Sequence, residues 1–247
     1  MTTSFSPPCL TAPHELDTVL RQQGYGVLDA RSVSALSGCP LDALAALRPL
    51  WADLPPDAFL KDGGRYRRRR HSCFVVQDGQ VTQMPHRAHW QPVAYNALHG
   101  GMQRLFEPLT PELLAQPVLT QLLRWLGRVC SGLKGVKPWF VEVHQFRIDT
   151  TDGIGRPTPE GAHRDGVDMV AVFMVNREGV KGGETRVFDA DGPNGQRFTL
   201  GEPWSVLLLD DARVIHESTP IQPINHDGHR DTLVITLRAV GFQEESH

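Results

Sequence analysis

Between Trp139 and Arg238 the chain is cut into short apolar or alternating segments by clusters of Gly, Pro, Asn and Asp, and this punctuation restricts the fold more than any other feature. Residues 140–148 alternate in the strand manner, and residues 168–176 form an apolar run of buried-strand length. Shorter strand-like pieces follow at 184–189, 204–210, 214–217 and 231–238, separated by breaks at Gly153–Gly155, Lys181-Gly182-Gly183, 191–195 and His226-Asp227-Gly228. Many short strands at such intervals predict a closed or double-sheet antiparallel structure of the jelly-roll kind.

Helical signals belong to the first half. Residues 17–23 predict a short helix, residues 25–28 a strand, and residues 41–54 and 113–133 amphipathic helices. The Pro-, His- and Arg-rich segment between the last two carries no periodic signal. The expected fold is therefore mainly β with a helical flank (α+β): a flank over 1–138 packed on a β core over 139–247, in one structural domain. A length of 247 residues suits that size.

Composition narrows the partners. The formal charge of -3 gives no electrostatic reason to bind nucleic acid, so the run Arg67-Arg68-Arg69-Arg70 reads as a solvated or ion-paired face. The four cysteines form no C-x-x-C pair, the first eight residues lack a leader pattern, and the longest apolar run, 169–175, is too short to span a bilayer. The expectation is a cytoplasmic protein acting on a small molecule, with no nucleic-acid or membrane partner.

The chemistry is carried by His163-Arg164-Asp165. On extended chain the imidazole and the carboxylate leave one face and can offer two adjacent positions to one metal. His216, at the end of the strand-like 210–215, is the candidate third ligand. Two histidines and one carboxylate leave three positions open on an octahedral iron, enough for a bidentate 2-oxo acid and dioxygen. Arg230 and Thr232 open the last apolar strand on one face; a guanidinium fork with a hydroxyl suits a carboxylate, and Arg238 shares that parity as a rival anchor. In 141–148 either Gln145 and Arg147 or His144 and Phe146 face the cavity; the lower cost of burying an amide favours Gln145 as a co-substrate contact. Asp168 and Glu184 are candidates to orient His163 or Arg230, or plain strand-end polars, whereas His86, His89 and His99 lack ligand spacing and read as structural. The competing readings are a non-redox cupin-like binding barrel, which has no use for an arginine anchor, and a zinc hydrolase, which needs a general base such as Glu184 or Glu217.

In these positions the chain resembles the 2-oxoglutarate/Fe(II) dioxygenase superfamily. Gly161-Ala162-His163-Arg164-Asp165-Gly166, Asn176-Arg177-Glu178, Gly182-Gly183-Glu184-Thr185-Arg186 and the segment 210–216 are similar to the bacterial branch that includes free L-amino-acid hydroxylases such as an isoleucine 4-hydroxylase. Tyr66 with the four arginines after it points the same way, and one of them is then a candidate contact for a substrate carboxylate. The resemblance implies a double-stranded β-helix with Fe(II) held by His163, Asp165 and His216 and 2-oxoglutarate anchored by Arg230. It further implies oxidative decarboxylation of 2-oxoglutarate to succinate and carbon dioxide, coupled to hydroxylation or sulfoxidation of a free amino acid.

Overall fold

The computed structural model describes residues 6–224 and 228–245, so most of the turn expected at His226-Asp227-Gly228 lies outside the described residues. Twelve strands follow in chain order: β1 (Tyr25–Leu28), β2 (Arg67–Gln77), β3 (Gln80–Gln83), β4 (Trp139–Asp149), β5 (Met169–Glu178), β6 (Val180–Gly182), β7 (Thr185–Asp189), β8 (Gly195–Phe198), β9 (Val206–Asp210), β10 (Val214–Ser218), β11 (Ile221–Pro223) and β12 (His229–Arg238). They form a seven-stranded sheet in the order β1-β9-β5-β12-β4-β2-β3, a three-stranded sheet β10-β7-β8 and the pair β11-β6, with every pairing antiparallel. The core is the expected double-stranded β-helix, and three of the strands in its large sheet come from the first 138 residues.

The alternation of side chains gives the large sheet two different faces. One face carries Val141, Val143, Ala171, Phe173, Leu233, Ile235 and Leu237, which pack under the helices Leu16–Gln23 and Pro117–Lys134 through Leu16, Leu20, Leu122, Leu123 and Leu126. Each such leucine, fully buried, contributes on the order of 1.5–3 kcal/mol, so this layer fixes which way the sheet faces. The other face turns toward the small sheet. Val170, Met174, Leu207 and Leu209 meet Val187, Phe198 and Val214 at one end, and the space between the sheets opens into a cavity at the other.

Two expectations change. The helix expected over 41–54 is broken into Leu41–Ala45 and a 3₁₀ turn, Arg48–Trp51, because Pro49 has no amide to donate and its ring obstructs the preceding turn. Leu44, Leu47, Trp51 and Leu54 are buried all the same. The segment without periodic signal contains the long strand β2, whose polar residues hid its alternation. The tight connection at Gly182-Gly183 does require glycine: both have positive φ, and a Cβ on Gly182 would lie 2.3 Å from the Pro220 carbonyl. Among the described residues no helix is long and apolar enough to cross a membrane.

Candidate metal centre and its cavity

His163 and His216 meet across the gap between irregular chain and β10. Their backbones exchange two hydrogen bonds of 3.0 Å, an isolated antiparallel bridge that brings the two rings to 4.6 Å between centroids. Asp165 lies beyond this bridge in irregular chain rather than on a strand. Its position is set by Asp211, whose carboxylate accepts from the backbone amides of Asp165 (2.9 Å), Gly166 (2.7 Å) and Val167 (3.1 Å). Asp165 Oδ1 then lies 3.8 Å from His163 Nε2, and Oδ2 lies 3.8 Å from His216 Nε2. Those separations exceed hydrogen-bond length, so three donor atoms gather without bonding one another.

This donor set fits Fe(II). His163 Nδ1 donates to the Gly161 carbonyl at 2.9 Å, which fixes the tautomer and leaves the Nε2 lone pair free for a metal. Burial lowers the His163 pKa, but the charges of Asp165 and Glu160 outweigh it and the net shift is upward. His216 is pushed well below its ordinary value by burial and by His163, which keeps its imidazole neutral and able to ligate. Burial, followed by repulsion from Asp165, raises Asp211 to about 6 against its three amide hydrogen bonds.

The triad opens on a cavity of about 900 Å³, part of it open to solvent. Arg230 and Thr232 line it, and Arg238 does not: its guanidinium donates to the carbonyls of Val240, Gly241 and Phe242. Arg230 is buried, its Nε has no partner, and among the described residues no carboxylate stands within ion-pair distance of it. Asp231, its neighbour, is taken instead by a bidentate pair with Arg147 at 2.8 and 2.7 Å. Burial, assisted by the nearby charge of Arg177, lowers Arg230 to about 10. A buried cation facing a cavity without an anion is suited to receive one.

Gln145 is a correction. It leaves the sheet on the same side as Val141 and Val143 and donates to the Leu50 carbonyl at 3.3 Å, while Glu142, His144, Phe146 and Ile148 face the cavity. The cost of burying an amide did not decide the parity; the apolar partners at 141 and 143 did, and their pattern was readable. Asp168 and Glu184 do not orient the triad or Arg230. Asp168 accepts from the amide of Ala239, and Glu184 shares Arg186 with Glu217 outside the cavity. That also removes both candidate hydrolytic bases, Glu184 and Glu217, from the triad. The carboxylate beside the triad is Glu160, with Oε1 3.5 Å from His163 Nε2.

Other cavity residues come from the flank. Along β2, Arg67, Arg69 and His71 point inward, whereas Arg68 and Arg70 bond to the Leu54 and Pro108 carbonyls. Arg67 donates to Asp57 at 2.7 Å. Gln91 reaches the triad itself: its amide donates to Asp165 Oδ1 at 3.1 Å, and its carbonyl accepts from Arg104 (2.9 Å) and Asn96 (3.2 Å). His89, expected to be merely structural, sits with His71, Glu142 and His144 in a second buried group able in composition to hold a metal. The alternation of 67, 69 and 71 was a legible signal for β2; nothing local marks Gln91 or His89.

Residues 48–236 match the 2OG-Fe dioxygenase family. The crystal structure of a bsmA homologue from Methylobium petroleophilum is 52% identical, covers 97% of this chain and 98% of its own, and superposes with a TM-score of 0.92. The structure of IDO from Bacillus thuringiensis (18% identity, 94% and 100% covered, TM-score 0.75) and that of the Fe(II)/α-ketoglutarate-dependent dioxygenase TqaL (19%, 92% and 86%, TM-score 0.71) share the fold. No curated protein gives a significant match. Since the family match takes in most of the chain and the triad lies within it, this protein belongs to the 2-oxoglutarate/Fe(II) dioxygenases, which use Fe(II), 2-oxoglutarate and dioxygen.

Proposed function

We propose that the protein hydroxylates or sulfoxidises a free L-amino acid while 2-oxoglutarate is converted to succinate and carbon dioxide, with His163, Asp165 and His216 as iron ligands. One observation carries this reading: the triad shares a single cavity with a buried, anion-free Arg230 and with Thr232. Bound at the triad, Fe(II) with 2-oxoglutarate and dioxygen supplies the oxidising power for a C–H bond or a thioether. The chain's own residues do the rest. The Gly161 carbonyl holds the His163 ring in its ligating tautomer, and Asp211 clamps the backbone of Asp165. Gln91 fixes which Asp165 oxygen is engaged from the side. Arg230 and Thr232 hold the distal carboxylate of 2-oxoglutarate by charge-assisted hydrogen bonds. Val172, Val234, Phe146 and Ile148 give the cavity an apolar wall that limits water.

A free amino acid as substrate is supported by the motifs around His163, Gly182 and Asp210. In this reading residues 139–247 are the catalytic core, and the flank over 1–138 supplies Arg67, Arg69, His89, Gln91 and Arg104 to the substrate side.

The test is anaerobic reconstitution with Fe(II) and 2-oxoglutarate, followed through the visible charge-transfer band in wild type and Asp165→Ala, and then succinate release across the proteinogenic L-amino acids. The expected result is a band in wild type alone and acceleration by a subset of amino acids. A band that survives in Asp165→Ala sinks the ligand assignment. Acceleration by none of them sinks the amino-acid reading.

A further inference from the structure

The register across β12, β4 and β2 lays the cavity floor out in rows: Arg230, Ile148 and Arg67; Thr232, Phe146 and Arg69; Val234, His144 and His71; Thr236, Glu142 and Cys73. Glu142 is six residues from Ile148, the residue paired with Arg230, a separation of roughly 20 Å along an extended strand. It therefore lies at the end of the cavity away from the co-substrate anchor. It lies near the triad by another route, through His89, two residues from the Gln91 that touches Asp165.

Glu142 is a buried carboxylate with no cation of its own. His71 Nε2 donates to it at 3.2 Å and His89 Nδ1 at 3.1 Å. Among the described residues no arginine or lysine comes within ion-pair distance of it. Both imidazoles are held neutral: burial lowers His71 and brings His89 to about 4. Burial alone would raise Glu142, but electrostatic attraction to His89, with the hydrogen bonds from His71 and His89, overcomes it and holds the carboxyl well below its ordinary value. Arg69, a candidate counter-charge, is turned to His144 Nδ1 at 2.7 Å and stacked on Phe106, with 3.7 Å from its guanidinium carbon to the ring centroid. An unpaired buried charge is costly unless something that arrives there compensates it.

A metal does not fit this group well. The His71 and His89 nitrogens that face Glu142 carry its hydrogen-bond protons and cannot ligate a metal shared with that carboxylate, and the Nδ1 of His144 is occupied by Arg69. What is left is a carboxylate opening on the substrate side of the cavity. Arg104 stands beside it, joined to His89 by two backbone hydrogen bonds and with an unpartnered Nε.

We infer that Glu142, positioned by His71 and His89, is the receptor for a protonated amine of the oxidised substrate and sets specificity for it. This deepens, and rests on, the proposal that the site takes a free amino acid; it commits the site to a cationic nitrogen at a named oxygen pair.

The test uses the full chain with Fe(II) and 2-oxoglutarate, as wild type, Glu142→Gln and Glu142→Asp. The probes are the proteinogenic L-amino acids, their 2-hydroxy analogues and simple alkylamines. Two signals are read: the anaerobic shift of the charge-transfer band on adding each probe, and succinate release. The expected result is that responding probes carry a protonated amine and that hydroxy analogues fail. Glu142→Gln should keep the probe-free band and raise KM by about tenfold or more with kcat little changed, and Glu142→Asp should fall between. If alkylamines respond and amino acids do not, the amino-acid reading fails while Glu142 keeps its role. Hydroxy analogues as effective as amino acids overturn the role, as does a folded Glu142→Gln protein with an unchanged KM. A panel that is silent in wild type also overturns it. An equivalent of zinc that survives chelation in wild type and is lost in Glu142→Gln makes the group a metal site instead.

Discussion

Two groups of histidines and carboxylates face one cavity, and they differ in what their lone pairs are doing. At His163, Asp165 and His216, His163 Nδ1 is tied to a backbone carbonyl, and the two Nε2 atoms stand 3.8 Å from the carboxylate they share. At His71, His89, Glu142 and His144 the same residue types are closed on one another, with ring protons of His71 and His89 on the carboxylate and Arg69 on the Nδ1 of His144. A list of residue types does not separate these two groups, but hydrogen-bond accounting does.

The contrast is broken most directly by removing one histidine from each group. His216→Ala should abolish iron retention and the charge-transfer band and reduce succinate release to background, whereas His89→Ala should keep both iron and band. Loss of iron in His89→Ala would mean that the second group is part of the metal site. The next largest effect concerns the anchor. Arg230→Met should raise the KM for 2-oxoglutarate by about ten- to a hundredfold, the equivalent of a charge-assisted hydrogen bond, and Arg238→Met should leave it unchanged. The reverse pattern would move the anchor to the far end of β12.

A smaller effect is expected at the link between the two groups. Gln91→Leu removes the donor to Asp165 Oδ1 and should weaken iron affinity about tenfold, measured by chelator competition, with the KM for 2-oxoglutarate little changed. An unaltered iron affinity would make Gln91 a packing residue. The smallest effect is on stability. His71, His89 and His144 have folded pKa values below the ordinary 6.5, so the unfolded chain binds more protons as pH falls. Stability should therefore decline from about pH 6.5 toward about pH 4, each histidine withdrawing at most about 1.4 kcal/mol per pH unit. Thermal melts of iron-free protein at pH 7.5 and 5.5 should show the lower midpoint at 5.5, and His89→Asn should reduce the difference. Equal midpoints would mean that these imidazoles are already protonated in the fold.

Much of the core was legible because local order and function agreed there. Strands β1, β4, β5, β7, β9, β10 and β12 were marked by alternation and by the breaks between them, and their observed bounds differ from the expected ones by only a few residues. His163, Asp165, His216 and Arg230 could be singled out as candidates because they sit in short spacings within or beside those strands. Strand β2 was hidden because its inward residues are Arg67, Arg69 and His71, so a hydrophobicity pattern had nothing to register.

Gln145 shows the opposite failure, in which one polar side chain was weighed by its own transfer cost although the whole face of β4 turned together against the helices. Side-chain period along a strand is a local property, and the sequence alone determined it, along with the fold class and the candidate ligands. Only the tertiary structure decided which polar atoms from distant segments meet: Gln91 on Asp165, Asp211 under the loop that carries it, and His71 and His89 on Glu142. Those contacts join residues tens of positions apart, and their hydrogen bonds are specified by how the flank packs over the barrel mouth, which no spacing within one segment encodes.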